Sequence, residues 1–157
     1  YRIPAVGGNL TGFLVASKVE FEFLEKKVTH HVHEASLASG ISTSELVKTI
    51  VFLNQDSMPL IAVVLGDQNV SRHKLQELSK SKDVRVAPDE IAELMTGYPT
   101  GGIPPVGHRR RIPVYIDNRV MARQHVWAGG GCRTKLVKLK TADIARLSSA
   151  TVGDIVI

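Results

Sequence analysis

The chain has one cysteine, Cys132. That excludes an internal disulfide and a multi-cysteine zinc site, and it makes the cytoplasm the expected location. Aromatic residues are only 5% of the chain, so a base-stacking surface of the RRM or OB kind is poorly supplied. No apolar run approaches the ~20 residues that span a bilayer. The opening YRIPAVGGNL lacks the charged-then-apolar order of a signal peptide, so no membrane is expected. A G-x-S-x-G nucleophile elbow is missing, as is the G-x-x-x-x-G-K-[ST] phosphate loop. There is no internal repeat, low-complexity tract or linker.

What remains is a chain of 157 residues, 43% hydrophobic and 22% charged, expected to form one domain over 1–157 with a real core. A net charge of +5 favours a polyanionic partner. With aromatics scarce, phosphate contacts and a small pocket are expected rather than a stacking platform.

Apolar spacing from Leu10 to Lys26 predicts one amphipathic helix, with Thr11 as its cap, so that 1–26 forms an N-terminal helical segment. Val28–His33 reads as a short strand, Glu34–Ser39 as a helical turn stopped by Gly40, and Ser42 with Glu45 as the capping box of a short helix. Thr49–Leu53 and Leu60–Leu65 are nearly continuous in Val, Ile and Leu. They predict an antiparallel hairpin buried on both faces. Ser71 is expected to cap a helix through Lys80. Val84–Ala87 reads as a strand, and Pro88 with Asp89 and Glu90 opens a helix that stops at Gly97. Ile112–Ile116 and Arg123–Trp127 read as strands joined by a turn near Asp117. Lys135–Leu139 alternates as a strand, and Thr141 is expected to cap the last helix. Several strand pairs are joined by turns too short for parallel crossovers. The expected fold is therefore a mixed α/β architecture: a mostly antiparallel mixed sheet or partial barrel flanked by helices.

The centre of the chain is Gly97–Arg111, GYPTGGIPPVGHRRR. Glycines at 97, 101, 102 and 107 allow sharp turns and close backbone approach. Prolines at 99, 104 and 105 stiffen the segment and remove donors. Such a stretch is either a long structural turn or a loop whose backbone binds a ligand. Arg109, Arg110 and Arg111 set positive charge beside it. Lys48, just before the first buried strand, either snorkels to water or presents an ammonium to a phosphate. His31 and His33 share a face of the expected strand, but no third ligand completes a metal set, so neither metal nor cofactor is expected. Cys132, next to Arg133, has no evident base to make it a nucleophile.

Three stretches in order, SELVKTIVF, LGDQNVSRHKLQELSKSKDVRVAPDEIAELMTGYPTGGIPPVGH, and WAGGG before KLVKLKTADIARLSSATVGDI, resemble the YbaK/prolyl-tRNA-synthetase-associated editing domains. The likeness runs from about Val28 to the C-terminus. It departs from the family in a short His33–Gly40 connection and in the Gly129–Gly131 run. The resemblance implies a trans-editing hydrolase that cleaves the ester of misacylated tRNA, with alanine or cysteine on tRNA-Pro as candidate substrates. It implies the tRNA 3′ end as partner, and an aminoacyl-tRNA synthetase as a second. Lys48 would hold the terminal phosphate. The GxxxP loop Gly101–Pro105 would stabilise the oxyanion through Gly101, Gly102 and Ile103. Around it, His33, Thr100, Pro104, Pro105, Gly107, His108, Gly129 and Gly130 are the expected substrate-binding residues, and Arg109–Arg111 the expected tRNA contacts. A module of the same fold that holds a tRNA end or nucleotide without hydrolysis is the alternative.

Overall fold

The computed structural model describes residues 8–28 and 32–157. Its centre is the expected hairpin. Strand β2 (Val47–Asn54) pairs antiparallel with β3 (Pro59–Leu65), with Val51 opposite Ile61 and Thr49 opposite Val63. Every residue of β3 is buried, which explains its unbroken apolar run. Side chains alternate across a strand. Val51, Leu53, Ile61 and Val63 therefore enter one core, and Phe52, Leu60, Ala62 and Val64 a second.

The hairpin grows into a five-stranded sheet of order β4-β2-β3-β5-β8. Strand β4 (Val84–Val86) is antiparallel to β2; β5 (Val114–Asp117) runs parallel to β3, and β8 (Thr151–Gly153) parallel to β5. A three-stranded antiparallel sheet stands beside it: β1 (Phe21–Glu25), β7 (Lys135–Lys140) and β6 (His125–Gly129), in the order β1-β7-β6. The two sheets touch where Leu46 bridges Trp127 and the Trp127 N–H donates to the Glu45 carbonyl at 2.9 Å. Helix α3 (Arg72–Ser79) sits under the second core through Leu75. Its Ser71 cap is as expected, the side chain accepting from the Lys74 N–H. Helix α4 (Asp89–Thr96) ends at Gly97, which takes the left-handed φ of 83°. The mixed sheet architecture with flanking helices is the one the sequence predicts.

Several local expectations differ. The helix expected over Leu10–Lys26 is α1 (Leu10–Ser17) followed by β1. Lys18 turns left-handed at φ 57° and ends the helix, and Phe21 and Phe23 then alternate opposite Leu139 and Val137. The cap is Asn9, whose side chain accepts from the Gly12 N–H at 2.9 Å. The strand expected at Val28–His33 falls partly outside the described residues, His30 and His31 included. Its end, with His33, lies in helix α2 (Val32–Ser39). Ser42–Glu45 is a turn closed by the Glu45 N–H on the Ser42 carbonyl, not a helix.

Near the C-terminus, β5 and β6 do not form a hairpin. The short helix α5 (Asn118–Met121), capped by Asp117, carries the chain from one sheet to the other. Pro88 holds the cap position of α4 rather than its first turn. Thr141 opens α6 (Thr141–Ser148), but its hydroxyl donates to the Arg123 carbonyl instead of capping. Among the described residues no helix is long and apolar enough to cross a membrane.

Candidate functional site

The site begins as a gap in the pairing of β2. Its even-numbered backbone groups face β3: the Gly66 N–H donates to the Leu46 carbonyl, and the Asn54 N–H to the Met58 carbonyl. The odd-numbered groups face the other way. At one end the Glu45 carbonyl is taken by Trp127 of β6. At the other, the Val51 carbonyl accepts from the Ala87 N–H where β4 runs into α4, at 2.9 Å. Between them Thr49 is paired to neither β4 nor β6 among the described residues, and it lines an open slot. An unpaired strand edge is a ready hydrogen-bonding surface.

The slot is the floor of a cleft of about 510 Å³. Lys48, Thr49 and Ile50 of β2 line it, with Asp89 and Ala92 at the start of α4. Thr100, Gly101 and Ile103 of the Gly/Pro loop and Gly129 of β6 complete the wall. Ala35, Leu46, Val47, Val51, Ala87 and Leu136 make much of the remaining lining apolar and short-chained. The side-chain oxygens of Thr49 and Thr100 are buried there with no hydrogen-bond partner among the described residues.

The loop is closed on itself. The Arg109 N–H donates to the Thr96 carbonyl at 2.7 Å, so the segment leaves and returns at the end of α4. Tyr98, 1% exposed, donates its hydroxyl to the Gly107 carbonyl at 2.7 Å, and burial pushes its pKa up to about 12. His108 bonds through Nε2 to the Pro104 carbonyl at 2.6 Å. Burial lowers the His108 pKa against the opposing effect of that bond, so the neutral imidazole with a proton on Nε2 fits the contact.

Within the loop, Pro99–Gly102 is a turn in which the Gly102 N–H donates to the Pro99 carbonyl at 2.9 Å. That bond takes Gly102 out of the expected donor set. Gly102 and Gly129 are glycine for another reason. A Cβ on Gly102 would stand 2.5 Å from the Cys132 carbonyl carbon, and one on Gly129 would stand 2.4 Å from the Ile103 oxygen. The two glycine loops pack backbone on backbone. The N–H groups of Gly101 and Ile103 have no partner among the described residues.

The structure thus gathers Lys48, Thr100, Gly101, Ile103 and Gly129 at one cleft. Strand alternation places the Lys48 side chain on the face of Ile50 and Val64, opposite that of Thr49. Its ammonium donates to Asn69 Oδ1 at 3.3 Å. Burial lowers the Lys48 pKa, and Asp67 partly offsets this. Pro104, Pro105, Gly107, His108 and Gly130 do not line the cleft; Gly130 spends its N–H on the Lys135 carbonyl. His33 is exposed on α2, and among the described residues no three His, Cys, Asp or Glu side chains could hold a metal. Arg110 and Arg111 line a separate shallow groove of about 220 Å³ with Tyr115 and Ser81. Sequence reading passed over Thr49, although it follows Lys48 directly and must face the other way. It also passed over Glu93 and weighed Arg133 only as a neighbour of Cys132; the two meet across 40 residues with no local signal.

A family model described as the aminoacyl-tRNA editing domain matches residues 26–147. The chain is 31% identical over 137 residues to the proline–tRNA ligase of Geobacter metallireducens, covering 87% of this chain but only 23% of that enzyme. It is 27% identical over 138 residues to EbsC of Enterococcus faecalis, named as a candidate Cys-tRNA(Pro)/Cys-tRNA(Cys) deacylase, covering 87% of this chain and 83% of that protein. Among solved structures, one described as a candidate trans-editing enzyme for prolyl tRNA synthetase superposes with a TM-score of 0.82 at 25% identity, over 100% of this chain and 99% of its own. A hypothetical protein superposes with a TM-score of 0.86 at 28% identity, covering 94% and 99% of the two chains.

Proposed function

The chain belongs to the aminoacyl-tRNA editing domain family, and on that premise we propose that it is a deacylase that hydrolyses the ester of misacylated tRNA in trans. The observation that carries the reading is the pair of N–H groups without a partner among the described residues, Gly101 and Ile103, on the wall of a cleft large enough for an aminoacylated nucleoside. Water adds to the ester carbonyl carbon, and negative charge develops on the carbonyl oxygen. The two N–H groups donate to that oxygen, an interaction that costs ~3–4 kcal/mol of barrier when one donor is lost. The tetrahedral species then expels the ribose oxygen, which takes up the proton that the water gives away. The products are the free amino acid and tRNA with its terminal diol restored.

An aminoacyl ester is activated, so no side-chain nucleophile is required, and a vicinal ribose hydroxyl serves to orient the water. Lys48 lines the cleft, and its ammonium would serve the terminal phosphate. The short apolar lining favours a small aminoacyl side chain. The name carried by EbsC makes cysteine on tRNA-Pro the first substrate to test, with alanine the second.

The decisive assay incubates the protein with Cys-, Ala-, Ser- and Pro-charged tRNA-Pro and follows release of the amino acid. Faster loss of Cys or Ala than of Pro is expected. Tight binding of every charged tRNA without hydrolysis would overturn the enzyme reading in favour of a binding module.

A further inference from the structure

The second glycine loop and its neighbours contribute no functional group to the chemistry above, yet they hold the carbonyls of the first loop. A trans peptide unit is planar, so its N–H points opposite to its C=O. The Thr100 carbonyl shares a peptide with the Gly101 N–H, and it accepts from Arg133 Nε at 2.7 Å. The Gly102 carbonyl shares a peptide with the Ile103 N–H, and it accepts from the Gly131 N–H at 2.8 Å. Both candidate oxyanion donors are aimed from behind. Glu93, 8% exposed on α4, completes the frame. Its Oε2 accepts from the Thr100 N–H at 2.9 Å and meets Arg133 Nη2 at 3.5 Å.

The turn type makes this grip consequential. Pro99–Gly102 carries the carbonyl-to-amide bond of a β-turn, Gly101 at its third position has φ +90°, and Thr100 at its second has negative φ. That combination is a type II turn. A type I turn joins the same ends with the central peptide rotated by about half a revolution, and that peptide is the one between Thr100 and Gly101. Glycine at the third position tolerates either form. The bond from Arg133 selects the form in which the Gly101 N–H turns away from Arg133.

We propose that Arg133, braced by Glu93, is a positioning residue that holds the Thr100–Gly101 peptide in the orientation required of an oxyanion donor. The inference rests on the deacylase reading, which the wild-type assay tests first. An inactive wild type overturns both. With an active wild type, Arg133→Ala is expected to lower kcat by at least about 10-fold, toward the 10²–10³ that loss of one donor costs, with KM for charged tRNA within about twofold. Arg133→Lys, which can still donate to the Thr100 carbonyl, should recover part of the loss. The amide resonance of Gly101 should move in Arg133→Ala while the melting temperature stays near that of the wild type. Should Arg133→Ala fail to fold, Arg133→Met keeps the aliphatic stem and is read in the same way. Unchanged kcat overturns the positioning role alone. So does a raised KM with a flatter salt dependence at constant kcat, which would make Arg133 a phosphate ligand instead.

Discussion

The Tyr98 hydroxyl donates to the Gly107 carbonyl at 2.7 Å across the base of the Gly/Pro loop. Together with the Arg109 N–H on the Thr96 carbonyl, it turns a glycine-rich segment into a closed ring on the end of α4. Loops of this kind, with neighbouring ends and internal packing, recur at functional sites.

Tyr98→Phe removes one donor and leaves the half-buried Gly107 carbonyl without that partner, at a cost of about 1 kcal/mol. Thermal unfolding should show a lower midpoint. Because the ring also sets the height of the 99–103 segment, kcat should fall with it. A fully active, equally stable Tyr98→Phe protein would show that the ring closes without this bond.

Lys48→Ala should abolish deacylation with little change in melting temperature. Among the described residues the ammonium's one hydrogen bond is to Asn69, and a partly exposed strand-edge cation contributes little to a core. Wild-type turnover by the folded variant would remove Lys48 from the site.

The two adjacent glycines should fail differently. In Gly102→Ala the new Cβ meets the Cys132 backbone at 2.5 Å, and overpacking of that kind costs about 1–3 kcal/mol, so stability falls first. In Gly101→Ala the residue must hold φ +90°, and the turn relaxes by rotating its central peptide, so kcat falls more than the melting temperature. Melting curves beside single-turnover deacylation separate the two. Equal losses of both quantities in both variants would make the segment a structural turn.

Arg109, Arg110 and Arg111 are exposed, and two of them line the shallow groove outside the cleft. Neutralising all three should weaken tRNA binding and reduce the slope of log K against log salt by about 0.7–0.9 for each phosphate no longer neutralised. Single-turnover chemistry at saturating tRNA should be unchanged. An unaltered slope would mark them as a solvated turn.

Burial lowers the His108 pKa below its ordinary 6.5, so the unfolded chain takes up a proton at a higher pH than the folded one. The stability due to the neutral, half-buried ring is fully present above about 6.5. It is lost as pH falls from there through the folded pKa. The melting temperature of the wild type should therefore drop between about pH 7.5 and 5 more steeply than that of His108→Gln. Parallel curves would assign the acid sensitivity elsewhere.

The sequence by itself determined the buried hairpin, the capped α3, the arrest of α4 at Gly97 and the loop that follows, because each depends on signals within a few residues. Continuous β-branched runs, a serine cap and a glycine stop act locally. It also marked Lys48, Thr100, Gly101, Ile103 and Gly129, which the fold does bring together. Only the tertiary structure decided which backbone groups of the loop remain open. Gly101 and Gly102 look alike in sequence, yet one N–H has no partner among the described residues and the other is spent on Pro99. The parting of α1 from β1 was likewise decided by pairing with β7, since Phe21 and Phe23 suit either period until Leu139 and Val137 lie opposite them. Glu93, Thr100 and Arg133 meet only after two sheets and a helix have packed. A peptide's orientation depends on what grips its carbonyl, and here the grip comes from residues distant in the chain.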